Sequence, residues 1–306
     1  MTGTRTQPET RHRAPEHPRT RLVADLPVTE RRLELEGVST SFLEGGEGSP
    51  LVVLHGPGEF AARWVRVLPG MTATHRVIVP DLPGHGASGV RDRVLTPEGI
   101  IAWLDALIGR TCGEPPVLVG HILGGAVAAR YAVARPGRLR ALVLVDSLGL
   151  APFRPSPRFA LALITFMALP GEGTYGRFMR HCEYDRDALA SEAGDTWDAV
   201  RDYSLERARD ARGRSAMRAL MKGVGVPPIP GEDLAAIRVP TALIWGRHDK
   251  ALRLSVAEKA SERYGWPLHI VEDTADDAPF ERPGAFLRAL RAALGTDAAV
   301  TPDATV

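Results

Sequence analysis

The segment that most constrains the fold is VLVGHILGGAVAARYA, residues 117–132. It begins as an apolar, β-branched run, breaks at a turn rich in glycine, and continues as an alanine-rich stretch. Such a run predicts a strand buried on both faces of a parallel sheet, and alanine favours a helix. The segment therefore predicts a strand, a sharp turn with Ile122 at its tip, and a helix.

The same alternation of strands and helices occupies much of the chain. Residues 31–46 alternate between apolar and polar and predict an antiparallel hairpin, and residues 96–110 predict a helix capped by Thr96. Short apolar runs predict further strands, at 50–56, 75–80, 140–147, 240–249 and 267–273. This order predicts an α/β fold with a doubly wound, mostly parallel sheet.

Two stretches differ from this pattern. Residues 150–236 predict helices with proline-rich joints and no strand, and we interpret them as a helical cap inserted into a core formed by residues 30–149 and 237–296. A cap between sheet strands would cover the carboxyl edge of the sheet, where open α/β sheets bind ligands. Residues 1–29 lack an apolar signal-peptide region, and we expect a disordered tail there.

Composition limits the binding partners and the cellular location that can be expected for this protein. A net charge of +1 gives no reason to expect nucleic acid or an acidic membrane, and the longest apolar run, 159–169, is too short to span a bilayer. The two cysteines predict unpaired thiols in a reducing compartment. We expect a cytoplasmic monomer or homodimer that binds a small hydrophobic molecule. With no phosphate-binding glycine loop and no metal-ligand spacing, we expect no cofactor and no metal.

Five motifs in order resemble the α/β-hydrolase superfamily over roughly residues 30–295. LHGPGEFAARW resembles the loop after its third strand, RVIVPDLPGHGAS the loop after the next strand, and VGHILGG its G-x-S-x-G elbow. LIWGRHD resembles the strand end that carries the catalytic acid, and DTADDAPFERPGAF resembles the histidine loop. The resemblance implies the α/β-hydrolase fold and a Ser–His–Asp triad at these positions.

The sequence departs from that triad at two of its three positions. Ile122 stands where the nucleophilic serine is expected, and it has no lone pair with which to attack. Counting back from Glu281, the histidine falls on Asp276, and a slip of one residue places it on Asp277. Asp249 alone matches the family, so the resemblance implies that no acyl-enzyme forms at the elbow.

The oxyanion hole departs from the family pattern as well. One donor would be the N–H of Leu123, directly after the elbow. The other would come from the residue after His-Gly, here Pro57, which has no N–H. Gly56 or Gly58 could replace it only if the loop shifted. Glu59, which follows this loop, could face the pocket or serve as a helix-terminal charge.

These residues lead us to predict an enzyme of a non-hydrolytic class. Asp249 and Asp276, or Asp277, would lie close together, so that one carboxyl keeps its proton and the pair supplies an acid and a base. We predict a lyase, isomerase or cyclase acting on a hydrophobic, polyketide-like metabolite. The predicted substrate-binding residues are Ile122, Leu123, Gly56, Pro57, Gly58 and His121.

Two alternatives stay open at this point. The first is a protein that keeps the pocket and only binds a ligand. The second is an ester hydrolase with non-standard machinery, in which Asp276 activates a water molecule.

Overall fold

The computed structural model describes residues 16–90 and 95–295. Its centre is one eight-stranded sheet in the order β1-β2-β4-β3-β5-β6-β7-β8. The strands are β1 (Thr29–Leu35), β2 (Val38–Gly45), β3 (Pro50–Leu54), β4 (Arg76–Pro80), β5 (Val117–His121), β6 (Ala141–Val145), β7 (Thr241–Gly246) and β8 (Leu268–Val271). β2 pairs antiparallel with both of its neighbours, β1 and β4. All other neighbouring strands, from β4 through β3 to β8 in the sheet order, pair in parallel. The predicted α/β fold with a mostly parallel sheet is confirmed.

Helices cover both faces of this sheet. They are α1 (Pro18–Val23), α2 (Leu68–Thr72), α3 (Pro97–Thr111), α4 (Leu123–Ala134), α10 (Gly231–Ala235), α11 (Leu254–Tyr264), α12 (Ala278–Glu281) and α13 (Pro283–Ala293), with a 3-10 turn at Ala61–Trp64. Thr96 caps α3 as predicted, since its hydroxyl accepts the Gly99 N–H at 3.1 Å. No helix among the described residues is both long and apolar enough to cross a bilayer.

The sheet separates two apolar cores, because successive side chains of a strand point to opposite faces. In β3, Val52 and Leu54 join one core and Leu51 and Val53 the other. All four side chains are fully buried. This burial on both faces explains why β3 is a continuous apolar run with no polar alternation.

Six helices lie between β6 and β7, and we call the first five of them the cap. They are α5 (Pro157–Ala168), α6 (Glu172–Cys182), α7 (Arg186–Ala193), α8 (Asp195–Arg209) and α9 (Ala211–Leu220), and a π-helical turn (Met221–Gly225) extends α9. The cap has a small core of its own around Phe159, Phe166 and Tyr175. Cys112 and Cys182 are both free thiols, as predicted.

The prediction of a disordered tail is wrong for residues 16–28. Residues 18–23 form α1, which packs against α8 and buries Leu22. The buried Arg19 guanidinium lies 2.8 Å from the Asp81 carboxylate. The proline- and arginine-rich composition suggested a solvated chain, whereas this arginine is neutralised by a carboxylate distant in sequence. Residues 1–15 of the predicted tail lie outside the described residues.

Candidate active site

The elbow predicted at residue 122 is present. Ile122 joins β5 to α4 with φ 47° and ψ −100°, a backbone conformation that is unusual and strained for a β-branched side chain. Its N–H donates to the Val145 carbonyl at 3.0 Å, and its carbonyl accepts the Leu148 N–H at 3.1 Å. These bonds to the end of β6 hold the turn in the shape that a nucleophile would need, although the side chain is a hydrocarbon.

The elbow glycines are required by close backbone contacts. A Cβ on Gly120 would lie 2.3 Å from the Gly124 carbonyl oxygen, and one on Gly124 would lie 2.5 Å from the Leu54 carbonyl oxygen. Real Cβ atoms do not approach backbone so closely, so only glycine lets α4 start directly above β3 and β5.

A cavity of about 840 Å³ lies between the elbow and the cap. Five of the predicted site residues line it: Pro57, Gly58, Ile122, Asp276 and Asp277. Most of the wall is apolar, and α5 and α6 supply many of its apolar side chains. A cavity of this size and polarity suits a small hydrophobic molecule.

The other four predicted site residues do not line the cavity. The Leu123 side chain is fully buried in the core, although its N–H, at the first position of α4, has no partner within the helix. Gly56 lies behind the cavity wall, and its N–H donates to the Glu59 carboxylate at 2.6 Å. His121 is buried and points towards the backbone of the histidine loop, where Nε2 lies 2.5 Å from the Asp276 carbonyl oxygen.

Asp249, the remaining triad residue, is buried below the cavity. Its Oδ1 accepts the N–H groups of Ala251 and Leu252, both at 2.7 Å, while Oδ2 is buried and has no hydrogen-bond partner among the described residues. Burial outweighs these two hydrogen bonds and raises the pKa of the Asp249 carboxyl to about 7. Asp249 itself is not among the residues that line the cavity.

Asp276 and Asp277 have different surroundings, which the sequence left open. Burial raises the pKa of the Asp276 carboxyl well above its usual range, and the nearby carboxylates of Asp249 and Asp277 raise it further. The Asp277 carboxylate instead forms a buried ion pair with Arg63, whose Nε lies 2.6 Å from Oδ2. Asp276 thus lies near other carboxyl groups, whereas the Asp277 carboxylate is neutralised by an arginine.

A second ion pair, between Glu59 and His121, lies beside the elbow. The Glu59 carboxylate is 3.5 Å from His121 Nδ1. Although burial opposes the charged forms, this pairing lowers the pKa of Glu59 to about 2 and raises that of His121 to about 9. Both groups are therefore charged near neutral pH, and Glu59 lines the cavity.

Pro57 cannot supply the second oxyanion donor because it has no N–H, whereas Gly58, one of the two predicted replacements, lines the cavity. Gly56 does not replace it, because its N–H is already donated to Glu59. Arg63 also lines the cavity, where its guanidinium is paired with the Asp277 carboxylate.

Arg63 and Asp146 are site residues that the sequence analysis missed. Asp146 follows β6, has φ 41°, and accepts the Gly246 N–H at 2.9 Å. Burial and the Asp249 carboxylate raise its pKa well above the usual range. The position of Asp146 at the end of a predicted strand was the one signal available for it in the sequence. Nothing in the sequence marked Arg63 as the partner of Asp277.

The fold and the elbow define the class of protein. A model of the alpha/beta hydrolase family matches residues 51–289, and the chain belongs to this family. The chain is 28% identical over 267 residues to the pimeloyl-[acyl-carrier protein] methyl ester esterase of Aeromonas hydrophila, covering 84% of this chain and 100% of that protein. It is 29% identical over 258 residues to the 2-hydroxy-6-oxo-6-phenylhexa-2,4-dienoate hydrolase of Comamonas testosteroni, covering 80% and 87%.

A solved structure shares the same fold. The 2-hydroxy-6-oxo-6-phenylhexa-2,4-dienoate hydrolase from Rhodococcus sp. strain RHA1 superposes with a TM-score of 0.75 at 24% identity, covering 88% of this chain and 99% of that one. The family and the named relatives support an enzyme.

The prediction of a non-hydrolytic function is wrong. The relatives that match along most of the chain are named as an esterase and a hydrolase, and nothing supports a lyase, isomerase or cyclase or a role in natural product biosynthesis. The error came from treating the loss of Ser and His as the loss of hydrolysis. Those residues are needed for a covalent acyl-enzyme, whereas water can attack a carbonyl directly when a base and an oxyanion donor are in place.

Proposed function

We propose that this protein hydrolyses an ester of a hydrophobic acyl compound by direct attack of water, without a covalent intermediate. The observation that carries the proposal is the place of Asp276. Asp276 lines the cavity together with Ile122, in the loop that carries the histidine in the family, and burial and the nearby Asp249 carboxylate raise its pKa. A carboxyl with a raised pKa is a stronger base, once ionised, than an ordinary aspartate.

In this mechanism Asp276 is the general base. A water molecule attacks the carbonyl carbon as its proton passes to the Asp276 carboxylate, and the carbonyl oxygen becomes an oxyanion. The Leu123 N–H and the Arg63 guanidinium stabilise that oxyanion. When the tetrahedral intermediate collapses, the carbon–oxygen bond to the leaving group breaks, and the departing alkoxide takes the proton back from Asp276.

Ile122 fits this mechanism because its side chain is inert. It lines the cavity below the substrate and keeps the surroundings of Asp276 apolar, which helps to hold the pKa of that carboxyl high. Water therefore has to supply the oxygen atom that a serine would otherwise supply.

The test is a panel of p-nitrophenyl esters with acyl chains of two to twelve carbons, assayed with the wild type and with Asp276→Asn. We expect turnover above background that rises with pH as Asp276 ionises, and a loss of at least about 100-fold in kcat/KM in the variant. Asp273→Asn is the matched control, since Asp273 is exposed three residues earlier in the same loop. Full activity in Asp276→Asn would refute the role of Asp276, and no turnover of any ester would refute the hydrolysis.

A single-turnover experiment in H₂¹⁸O, with enzyme in excess, tests whether a side-chain carboxylate acts as a general base or as a nucleophile. Direct attack by water places ¹⁸O in the acid product of the first turnover. Unlabelled acid would mean that a side-chain carboxylate attacked the carbonyl first. Labelling of the wild type by a serine-directed fluorophosphonate would contradict both schemes.

One observation favours a second candidate, a protein that binds its ligand without turnover. Pro57 has no N–H and the Gly56 N–H is donated to Glu59, so neither supplies the second oxyanion donor, and removal of such a donor typically costs about 2.7–4 kcal/mol of transition-state stabilisation. Product analysis distinguishes the two candidates, because a ligand recovered unchanged after long incubation would favour binding alone.

A further inference from the structure

Three cations follow one another along the side of the cavity formed by α9 and the π-helical turn. They are Arg214, Arg218 and Lys222, spaced four residues apart, and all three line the cavity. Residues at this spacing lie on one face of a helix, one turn above the other. We call these three residues the cationic row.

No carboxylate neutralises the cationic row within the part of the chain that the structure describes. None of the ion pairs there includes any of the three residues. The Arg214 guanidinium donates to the Ala208 carbonyl at 2.6 Å. The side chains of Arg218 and Lys222 are exposed and make no hydrogen bond to described residues. Like charges four residues apart on a helix repel one another, so this arrangement is unfavourable while the cavity is empty.

Another part of the cavity wall is apolar. It is formed by α5 and α6, whose side chains Phe159, Leu163, Ile164, Phe166 and Phe178 face the same space. The cavity therefore has one apolar wall and one positively charged wall, and a ligand that satisfies both must be an amphiphile.

The acidic groups of the cavity do not neutralise the cationic row. Glu59 is paired with His121, and Asp277 with Arg63. Burial raises the pKa of the Asp276 carboxyl, which disfavours a negative charge there. The unneutralised charge at the exposed side of the cavity is thus positive.

We propose that the cavity takes an anionic amphiphile, whose apolar chain packs against α5 and α6 and whose anionic head group binds Arg218 and Lys222. The head group is a carboxylate or a phosphate, both of which guanidinium and ammonium groups bind. This inference rests on the proposed function only in treating the bound amphiphile as an ester whose carbonyl carbon is attacked. It names the substrate class and is tested by binding alone, so the absence of ester turnover would leave it standing.

The test compares octanoate, octyl phosphate and 1-octanol, which share one chain length and differ in the head group, by isothermal titration calorimetry. We expect the wild type to bind at least one of the two anions at least about tenfold more tightly than the alcohol. That preference should fall as NaCl rises from 50 to 500 mM, because salt screens exposed charges. The anion that binds more tightly identifies the head group.

The variant Arg218→Gln/Lys222→Gln should lose most of this preference while its affinity for 1-octanol stays within about twofold. The matched control is Arg253→Gln/Lys259→Gln on α11, which removes the same charge at exposed positions outside the cavity. Equal affinity of the wild type for the alcohol and both anions would overturn the proposal. A preference that persists in the first variant, or falls equally in the control, would overturn it as well.

Discussion

Replacing Asp249 with asparagine tests whether a buried carboxyl below the cavity keeps its proton near neutral pH. Asparagine has nearly the same shape and is always neutral. Its side-chain oxygen can accept the same two N–H groups, those of Ala251 and Leu252. Its amide nitrogen would occupy the place of Oδ2, which has no partner among the described residues. The substitution therefore removes the titration and little else.

The magnitude follows from the shift in pKa. Burial raises the pKa of Asp249 from its usual 3.8 to about 7, so between these values the folded protein holds a proton that the unfolded chain has released. Its free energy of unfolding must then fall as pH rises, by up to about 4 kcal/mol for three units at about 1.36 kcal/mol each. Below pH 4 and above pH 7 this contribution is constant.

The quantity to measure is the difference in unfolding free energy between Asp249→Asn and the wild type, by urea denaturation at several pH values from 4 to 8. The wild-type curve alone is not diagnostic, because burial lowers the pKa values of His55 and His85 to about 4 and makes stability rise over part of the same range. Those contributions are common to both proteins and cancel in the difference.

We expect the variant to gain stability over the wild type as pH rises, with most of the change complete by pH 8. Asp187→Asn, an exposed substitution in the first turn of α7, should show a constant difference. A difference between Asp249→Asn and the wild type that does not change with pH would refute the protonation of Asp249 in the folded protein.

Two further predictions concern the residues that hold the site in place. Arg63→Gln should lower the free energy of unfolding by about 3–5 kcal/mol, because it leaves the buried Asp277 carboxylate without its ion-pair partner; unchanged stability in urea denaturation would contradict this. Gly124→Ala should lower the melting temperature strongly, since the new Cβ would meet the Leu54 carbonyl oxygen at 2.5 Å. Gly173→Ala in α6, where a Cβ meets nothing within 4 Å, should instead stabilise the protein by about 0.5–1 kcal/mol. Equal melting temperatures for the two glycine variants would refute the close contact at the elbow.

The fold could be predicted from the sequence because its signals are local. The apolar runs of β3 and β5 are buried on both faces, and the glycines between β5 and α4 reflect contacts within one supersecondary unit. Local signals failed in residues 16–28, where the chain is polar in composition but Arg19 is buried against Asp81. Nothing near Arg19 in the sequence identifies that partner.

The features of the candidate site that could be predicted are those that follow from the chemistry of a single residue. Ile122 has no nucleophile and Pro57 no N–H, whatever surrounds them. The sequence did not distinguish Asp276 from Asp277, and it gave no signal for Arg63. The ion pair that separates the two aspartates joins residues 214 positions apart.

The sequence by itself therefore determined the backbone of the elbow and the absence of a serine nucleophile there, since both follow from which atoms are present and from contacts among near neighbours. Only the tertiary structure decided which carboxyls keep a proton and which are paired. A carboxyl's pKa depends on its burial and on the charges around it, and here those charges come from loops that meet only when the sheet and the cap have assembled.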